Sequence, residues 1–194
     1  SLLKTKIRML PISWIKGTLC LFFFLSALLG FSQSSEGDAL WTVDNKSKVA
    51  LKSDDFSGFF NSVKGKMILD NALSFPKELE LVVDVNSLEL EIPGMTKHAL
   101  SSDYFDAAQF PAIKFFGKIN RDEYGNSFVE GTMVAKGVEQ RMKIPLKADA
   151  LSSGKNWVLE VTFPVQRTDF KIGDAESVSD EVNIEAKVYF KIKK

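Results

Sequence analysis

Few side chains in this sequence are able to do chemistry, and their spacing limits what that chemistry is. His98 is the only histidine. Alone it supplies neither a multi-histidine metal site nor a two-imidazole proton shuttle, and between Lys97 and Ala99 it reads as a surface or helix-packing residue. Asp103 and Asp106 flank Tyr104-Phe105. They offer an acid pair or a calcium site, but calcium takes about six to eight oxygens, usually from a compact Asp/Asn/Gly loop. No such loop is visible, so the pair reads as an anchor or cap for a helix and its following turn. Arg167 and Asp169 are two apart and share one face of a strand. They read as an ion pair or as the fixing of a bend after Pro164, with Arg167 also the candidate to hold a ligand's anionic head. No glycine-rich phosphate loop, nucleophile elbow or HExxH pattern occurs. A binding protein is expected, not an enzyme, with no catalytic residue, no metal and no cofactor.

The elements that position these residues are strands. Apolar residues recur at every second place, the mark of a half-buried strand. Val182, Ile184, Ala186, Val188, Phe190 and Ile192 alternate with Glu181, Asn183, Glu185, Lys187, Tyr189 and Lys191, and in a strand these sets face opposite sides. Further rows run through Met142–Ala148, Trp157–Val165 and Leu79–Val85. Weaker ones cover Val63–Leu69, Ile113–Ile119 and Phe128–Ala135, and an eighth, Val43–Leu51, breaks near Asn45. Turn residues separate several of them: Asp122 to Asn126, Lys136-Gly137 and Ser152-Ser153-Gly154. Eight strands with one apolar face each predict an all-β, eight-stranded antiparallel barrel, which hides that face and removes open edges. Only residues 93–109 break the alternation: after Pro93-Gly94, the residues Met95, Ala99, Leu100, Tyr104 and Phe105 fall at helical spacing. A short helical insertion crossing one end of the barrel is expected there.

A barrel of about eight strands has room for packed side chains or for one small ligand. There are 16 phenylalanines, many in the apolar rows, and the expectation is that several rows line a cavity. The candidates are Phe56 and Phe60, then Val83 and Val85, then Phe115, with Ile144 and Leu146 beyond. Phe163 and Val165, Phe170, and finally Ile184 and Val188 complete the set.

The N-terminal residues read as a targeting segment. Lys4, Lys6, Arg8 and Lys16 precede the stretch Thr18–Phe31, dominated by Leu and Phe, which closes on Gly30-Phe31-Ser32. That order is the pattern of a secretory signal, and the run is short for a helix crossing about 30 Å of hydrocarbon. Residues 1–32 are therefore expected to be a signal peptide cleaved near Ser32. Residues 33–38 form a short polar lead and 39–194 one barrel domain, periplasmic or secreted and not membrane-spanning once processed. Cys20, the only cysteine, lies inside the apolar run rather than after it, which argues against lipidation. Without the leader no thiol remains, so disulfides, thiol catalysis and cysteine-based zinc sites are excluded. The whole chain balances 25 basic against 25 acidic residues. The leader carries four of the basic ones and no acidic ones, and the mildly acidic remainder is a poor partner for nucleic acid.

Several stretches resemble one family in the same order. Lys97-His98-Ala99-Leu100-Ser101-Ser102-Asp103-Tyr104-Phe105-Asp106 is similar to the His-Leu, Ser, Asp-Phe-Phe-Asp signature of YceI-like proteins, and Phe110-Pro111-Ala112-Ile113-Lys114-Phe115 to the Tyr-Pro-x-Ile-x-Phe that follows it. Val129 to Met133 with Gly137-Val138 resembles the family's Val-x-Gly hairpin. Arg167-Thr168-Asp169-Phe170 resembles its Arg-Ser-Asp-Phe, Asp180-Glu181-Val182 the entry to its last strand, and Trp41 to Asp44 its first. The resemblance covers Ala39 to Lys194. It implies a lipocalin-like barrel whose elongated apolar cavity binds polyisoprenoid chains, a prenyl-quinone being one such ligand. Lys46-Ser47 stands for the family's His-Ser, Lys171 for a glycine, and only Gly58 and Gly65 remain of the glycines near the first strands. These departures bear on ligand choice, so that Lys171→Gly is expected to touch affinity or selectivity alone. Two rivals stand beside this reading: an outer-membrane barrel, and a non-enzymatic structural or interaction barrel filled by its own side chains.

Overall fold

The computed structural model describes residues 38–151 and 156–192. The leader expected over 1–32, all of the polar lead except Asp38, and the Ser152-Ser153-Gly154 turn lie outside the described residues. Among the described residues there are eleven strands: β1 Ala39–Val43, β2 Lys48–Lys52, β3 Ser57–Phe60, β4 Val63–Asp70, β5 Phe75–Asp84, β6 Leu88–Leu90, β7 Ala112–Arg121, β8 Ser127–Ala135, β9 Val138–Ala150, β10 Asn156–Gln166 and β11 Glu181–Ile192. Eight of them form the expected antiparallel ring, in the order β1-β4-β5-β7-β8-β9-β10-β11 and back to β1. The alternation seen in the sequence is the burial code. In β11, Val182, Ala186, Val188 and Phe190 are buried, and the charged residues between them are exposed.

The three extra strands come from chain breaks. The row Val43–Leu51 is two strands, parted at Asp44–Ser47, and β11 serves both: its residues 183–187 pair with β2 and its residues 190–192 with β1. At the break, Asp44 Oδ1 accepts the Lys46 amide and Asp44 O accepts the Ser47 amide. The buried Ser47 hydroxyl then stands in for a missing ladder rung, accepting the Tyr189 amide at 2.9 Å and donating to Tyr189 O at 3.4 Å. Strands β3 and β6, which the sequence reading missed, pair with one another and continue the β4–β5 hairpin upward. The Lys46 amide on its carboxylate, with Lys191 nearby, holds Asp44 below the usual carboxylate range against the pull of burial.

The helical insertion is shorter than its apolar spacing predicts. Helix α1 spans only Met95–Ala99, and Leu100, Tyr104 and Phe105 lie in the turns that follow. The Ser101 hydroxyl bonds back to His98 O at 2.7 Å, the local competition by which serine ends helices. Asp103 and Asp106 anchor this turn through the main chain: Asp103 O accepts the Gly173 amide, and Asp106, in the left-handed region at φ 49°, accepts the Phe110 amide. The Thr96 hydroxyl accepts the Leu90 amide and so covers the open edge of β6.

Gly117 and Gly131 face each other across β7 and β8. A Cβ on Gly131 would lie 2.1 Å from Phe116 O, and the Phe115 ring lies against both glycines. Below this level Trp41, Met67, Trp157 and Phe190 fill the interior with Leu79, Ile119, Val129, Ile144, Leu159 and Val188. The Trp41 indole Nε1 is the one buried side-chain nitrogen or oxygen without a hydrogen-bond partner among the described residues.

Candidate functional site

Above this glycine pair the barrel is hollow. Residues of eight strands, Leu88 and Leu90 of β6 among them, enclose a cavity of about 340 Å³, within the range typical of small-molecule sites. β2 gives Val49 and Leu51, β5 Leu81 and Val83, β7 Ile113 and Phe115, β8 Met133 and Ala135, β10 Val161, Phe163 and Val165, and β11 Val182, Ile184 and Ala186. Phe60 of β3 closes one side and meets Phe105 edge-on at 5.8 Å between ring centroids. Helix α1 and the 104–105 turn cover the top, with Met95 and Ala99 facing the cavity.

Apart from the buried Arg167, the polar residues of the lining are His98, Tyr104, Lys114 and Ser177. His98 is exposed, lies edge-on to Tyr104 at 4.8 Å, and shares the rim with Lys114 and Ser177. Its placement agrees with a surface histidine, here at the cavity entrance.

Arg167 is also at the cavity, but its guanidinium is committed elsewhere. Only 6% exposed, it donates from Nε to Ser179 O (2.9 Å), from Nη1 to Ile172 O (2.6 Å), and from Nη2 to Asp174 O (2.9 Å) and Val178 O (2.7 Å). It is the internal brace of the 172–179 loop. An ion pair with Asp169 does not form; that residue's carbonyl accepts Gln140 Nε2 instead. Four of its five N–H donors point at backbone carbonyls, which leaves one for the head-group role considered for Arg167. Asp180 completes the brace by accepting both the amide and the hydroxyl of Thr168. Burial opposes its charge, yet the two Thr168 bonds and the Arg167 charge outweigh that and hold its carboxyl below the usual range.

Of the candidates read from the sequence, Phe56, Phe60, Val83, Phe115, Phe163, Val165, Phe170 and Ile184 line the cavity. Ile144, Leu146 and Val188 do not. They belong to the buried core but are absent from the cavity wall. Val85 does not either: β5 ends at Asp84, whose carboxylate accepts the Asn86 amide, and Val85 opens a 3₁₀ turn and is buried off the cavity. The residues passed over, such as Leu81, Met133 and Ala186, share the parity of their rows and could have been found from it. Leu88, Leu90 and the helix residues had no such signal.

The YceI-like domain family matches residues 41–190. A UPF0312 protein of Shewanella denitrificans is 28% identical over 100 residues, a match spanning about half of each chain (51% of both). Among solved structures, BcnA of Burkholderia cenocepacia superposes with a TM-score of 0.67 at 25% identity, over 76% of this chain and 98% of that one. The Campylobacter jejuni YceI protein gives 0.60 at 21% identity, over 71% and 84%. A polyisoprenoid binding domain from Saccharophagus degradans gives 0.62 at 14% identity, over 79% and 98%.

Proposed function

Since the chain belongs to the YceI-like family, we propose that it is a non-enzymatic carrier holding a polyisoprenoid, a prenyl-quinone or a similar apolar chain inside its barrel, and that it is exported after removal of a leader near Ser32. The observation that carries this reading is the apolar hollow half. Its walls come from eight strands and are apolar apart from His98, Tyr104, Lys114, Arg167 and Ser177. The polyisoprenoid binding domain of Saccharophagus degradans supports the choice of ligand by its shared fold. Each buried CH₂ contributes about 0.8 kcal/mol of transfer energy, so a hydrocarbon tail gains affinity without any specific polar contact.

Among the described residues no helix is long and apolar enough to cross a membrane. A membrane-spanning barrel needs an apolar outward band, whereas here the outward faces carry charges such as Lys143, Lys147, Glu181, Glu185 and Lys187, all exposed. The filled-barrel rival describes the lower half of the interior and leaves the upper half unexplained.

Organic extraction of the purified protein followed by lipid mass spectrometry, with uptake of an added prenyl-quinone, tests the ligand. Bound prenyl lipid, or stoichiometric uptake by the emptied protein, is expected. A protein that carries nothing and takes up nothing is not a carrier. Phe163→Glu should abolish uptake; normal uptake by that variant, still folded, would remove the β10 row from the wall. N-terminal sequencing of the exported protein should begin at Gln33.

A further inference from the structure

The hollow half has a floor, and a floor sets a length. The ladder places Ala186 opposite Val161, the last cavity residues on their strands. One step lower on the same faces, Val188 stands opposite Leu159, both buried in the packed core and off the cavity. On β4 and β5 the fully buried Met67 pairs with Leu79, one inward step below the cavity residue Leu81, and both are off the cavity. The apolar space therefore ends about midway down the barrel.

An apolar protein cavity of about 150 Å³ takes one benzene, or about 25 Å³ per carbon. At that density about 340 Å³ takes about 14 carbons, close to three isoprene units. From the floor and this volume we propose that the cavity encloses an apolar chain only up to about farnesyl length, and that any longer tail leaves its remainder outside the mouth. The inference rests on the carrier reading above and adds to it the size class of the ligand. Ala186 is the residue that sets the limit: it is the smallest side chain at the floor, so the depth of the cavity depends on its lacking anything beyond Cβ.

A series of prenols tests this by fluorescence displacement or calorimetry. From geraniol to farnesol, affinity should rise by about fourfold per carbon. From farnesol through geranylgeraniol to solanesol it should level off, staying within about tenfold. Ala186→Leu should fill the floor and move the plateau down to geraniol, with near-ultraviolet circular dichroism and the melting temperature showing that the fold is kept. Met67→Ala, cutting the floor from below, should move it up toward geranylgeraniol. Affinity that keeps climbing steeply past farnesol in the wild type overturns the inference and leaves the carrier reading intact, as does a plateau that a folded Ala186→Leu fails to move. Hexadecanoic acid binding as tightly as farnesol would support the length limit and show that methyl branching is not read. Failure of every chain to bind would remove the carrier reading and the length limit together.

Discussion

The two halves of this barrel share strands, alternation and sheet, yet one is packed solid and the other encloses a cavity. The packed half is a closed ring in which every strand has a hydrogen-bonded neighbour on both sides. In the hollow half two of those seams stop. The β5–β7 ladder ends at Asp84 opposite Ala112, and β6, which continues β5, pairs with β3 alone. Residues 91–111 stand where a β6–β7 ladder would run. Across the barrel the β9–β10 ladder ends at Leu146 opposite Val161. Continuing that register would set Pro145 against Thr162 and Lys143 against Pro164, and a proline has no amide hydrogen to give. Interrupted seams and side-chain size act together: the packed half holds Trp41, Met67 and Trp157, whereas the wall of the hollow half includes Ala135 and Ala186.

The largest expected contrast comes from the same truncation in each half. Phe190 is completely buried, with partners on all sides, so Phe190→Ala should cost about 3–5 kcal/mol. Phe163 has the cavity on one side, where contacts are already absent, and Phe163→Ala should cost about half as much while enlarging the site. Urea unfolding of the ligand-free variants measures both. Equal losses would mean that the upper half is packed as well as the lower.

A smaller effect is expected at the joint between the halves. Ser47 sits where β11 passes from pairing with β2 to pairing with β1, and its hydroxyl is the partner of the Tyr189 amide. Ser47→Ala leaves that donor buried and unpaired, at a cost of about 1–3 kcal/mol. Hydrogen exchange at Tyr189 should accelerate together with that of β1. If Tyr189 exchanges at its old rate, the rung is held by something other than the hydroxyl.

How much of this was legible in the sequence follows from what alternation encodes. Parity separates inward from outward residues, and it placed Phe163, Val165 and Ile184 on the inner face. It carries no information on height, so Ile144, Leu146 and Val188 looked identical to them. Which inward residues touch across the barrel depends on where the ladders stop, a property of paired strands and not of any one row. Strands as short as β3 and β6 hold too few residues for a period to show. Arg167 illustrates a different limit: its partners are backbone carbonyls of a loop up to 12 residues away in sequence, and carbonyls leave no trace in residue types.

Lys171 gives the smallest effect and separates strain from hollowness as sources of softness in the upper half. It ends the 3₁₀ turn Arg167–Phe170 with φ 56° and ψ 32°, its amide donating to Thr168 O. A side chain in that left-handed conformation costs roughly 1–2 kcal/mol, and the exposed Lys171 side chain is absent from the cavity wall. The sequence reading assigned Lys171→Gly an effect on affinity or selectivity alone; the backbone makes it a stability position. Glycine relieves the strain but adds freedom to the unfolded chain, so Lys171→Gly should stabilise by about 0.5–1 kcal/mol. The prenol profile should not change, because Phe170 and Ile172 on either side keep their places in the wall. A rise in melting temperature with unaltered binding would show that the upper half can be stiffened at its loops while its interior stays empty. A change in the length profile would mean that this turn, and not the interrupted seams, governs the shape of the cavity.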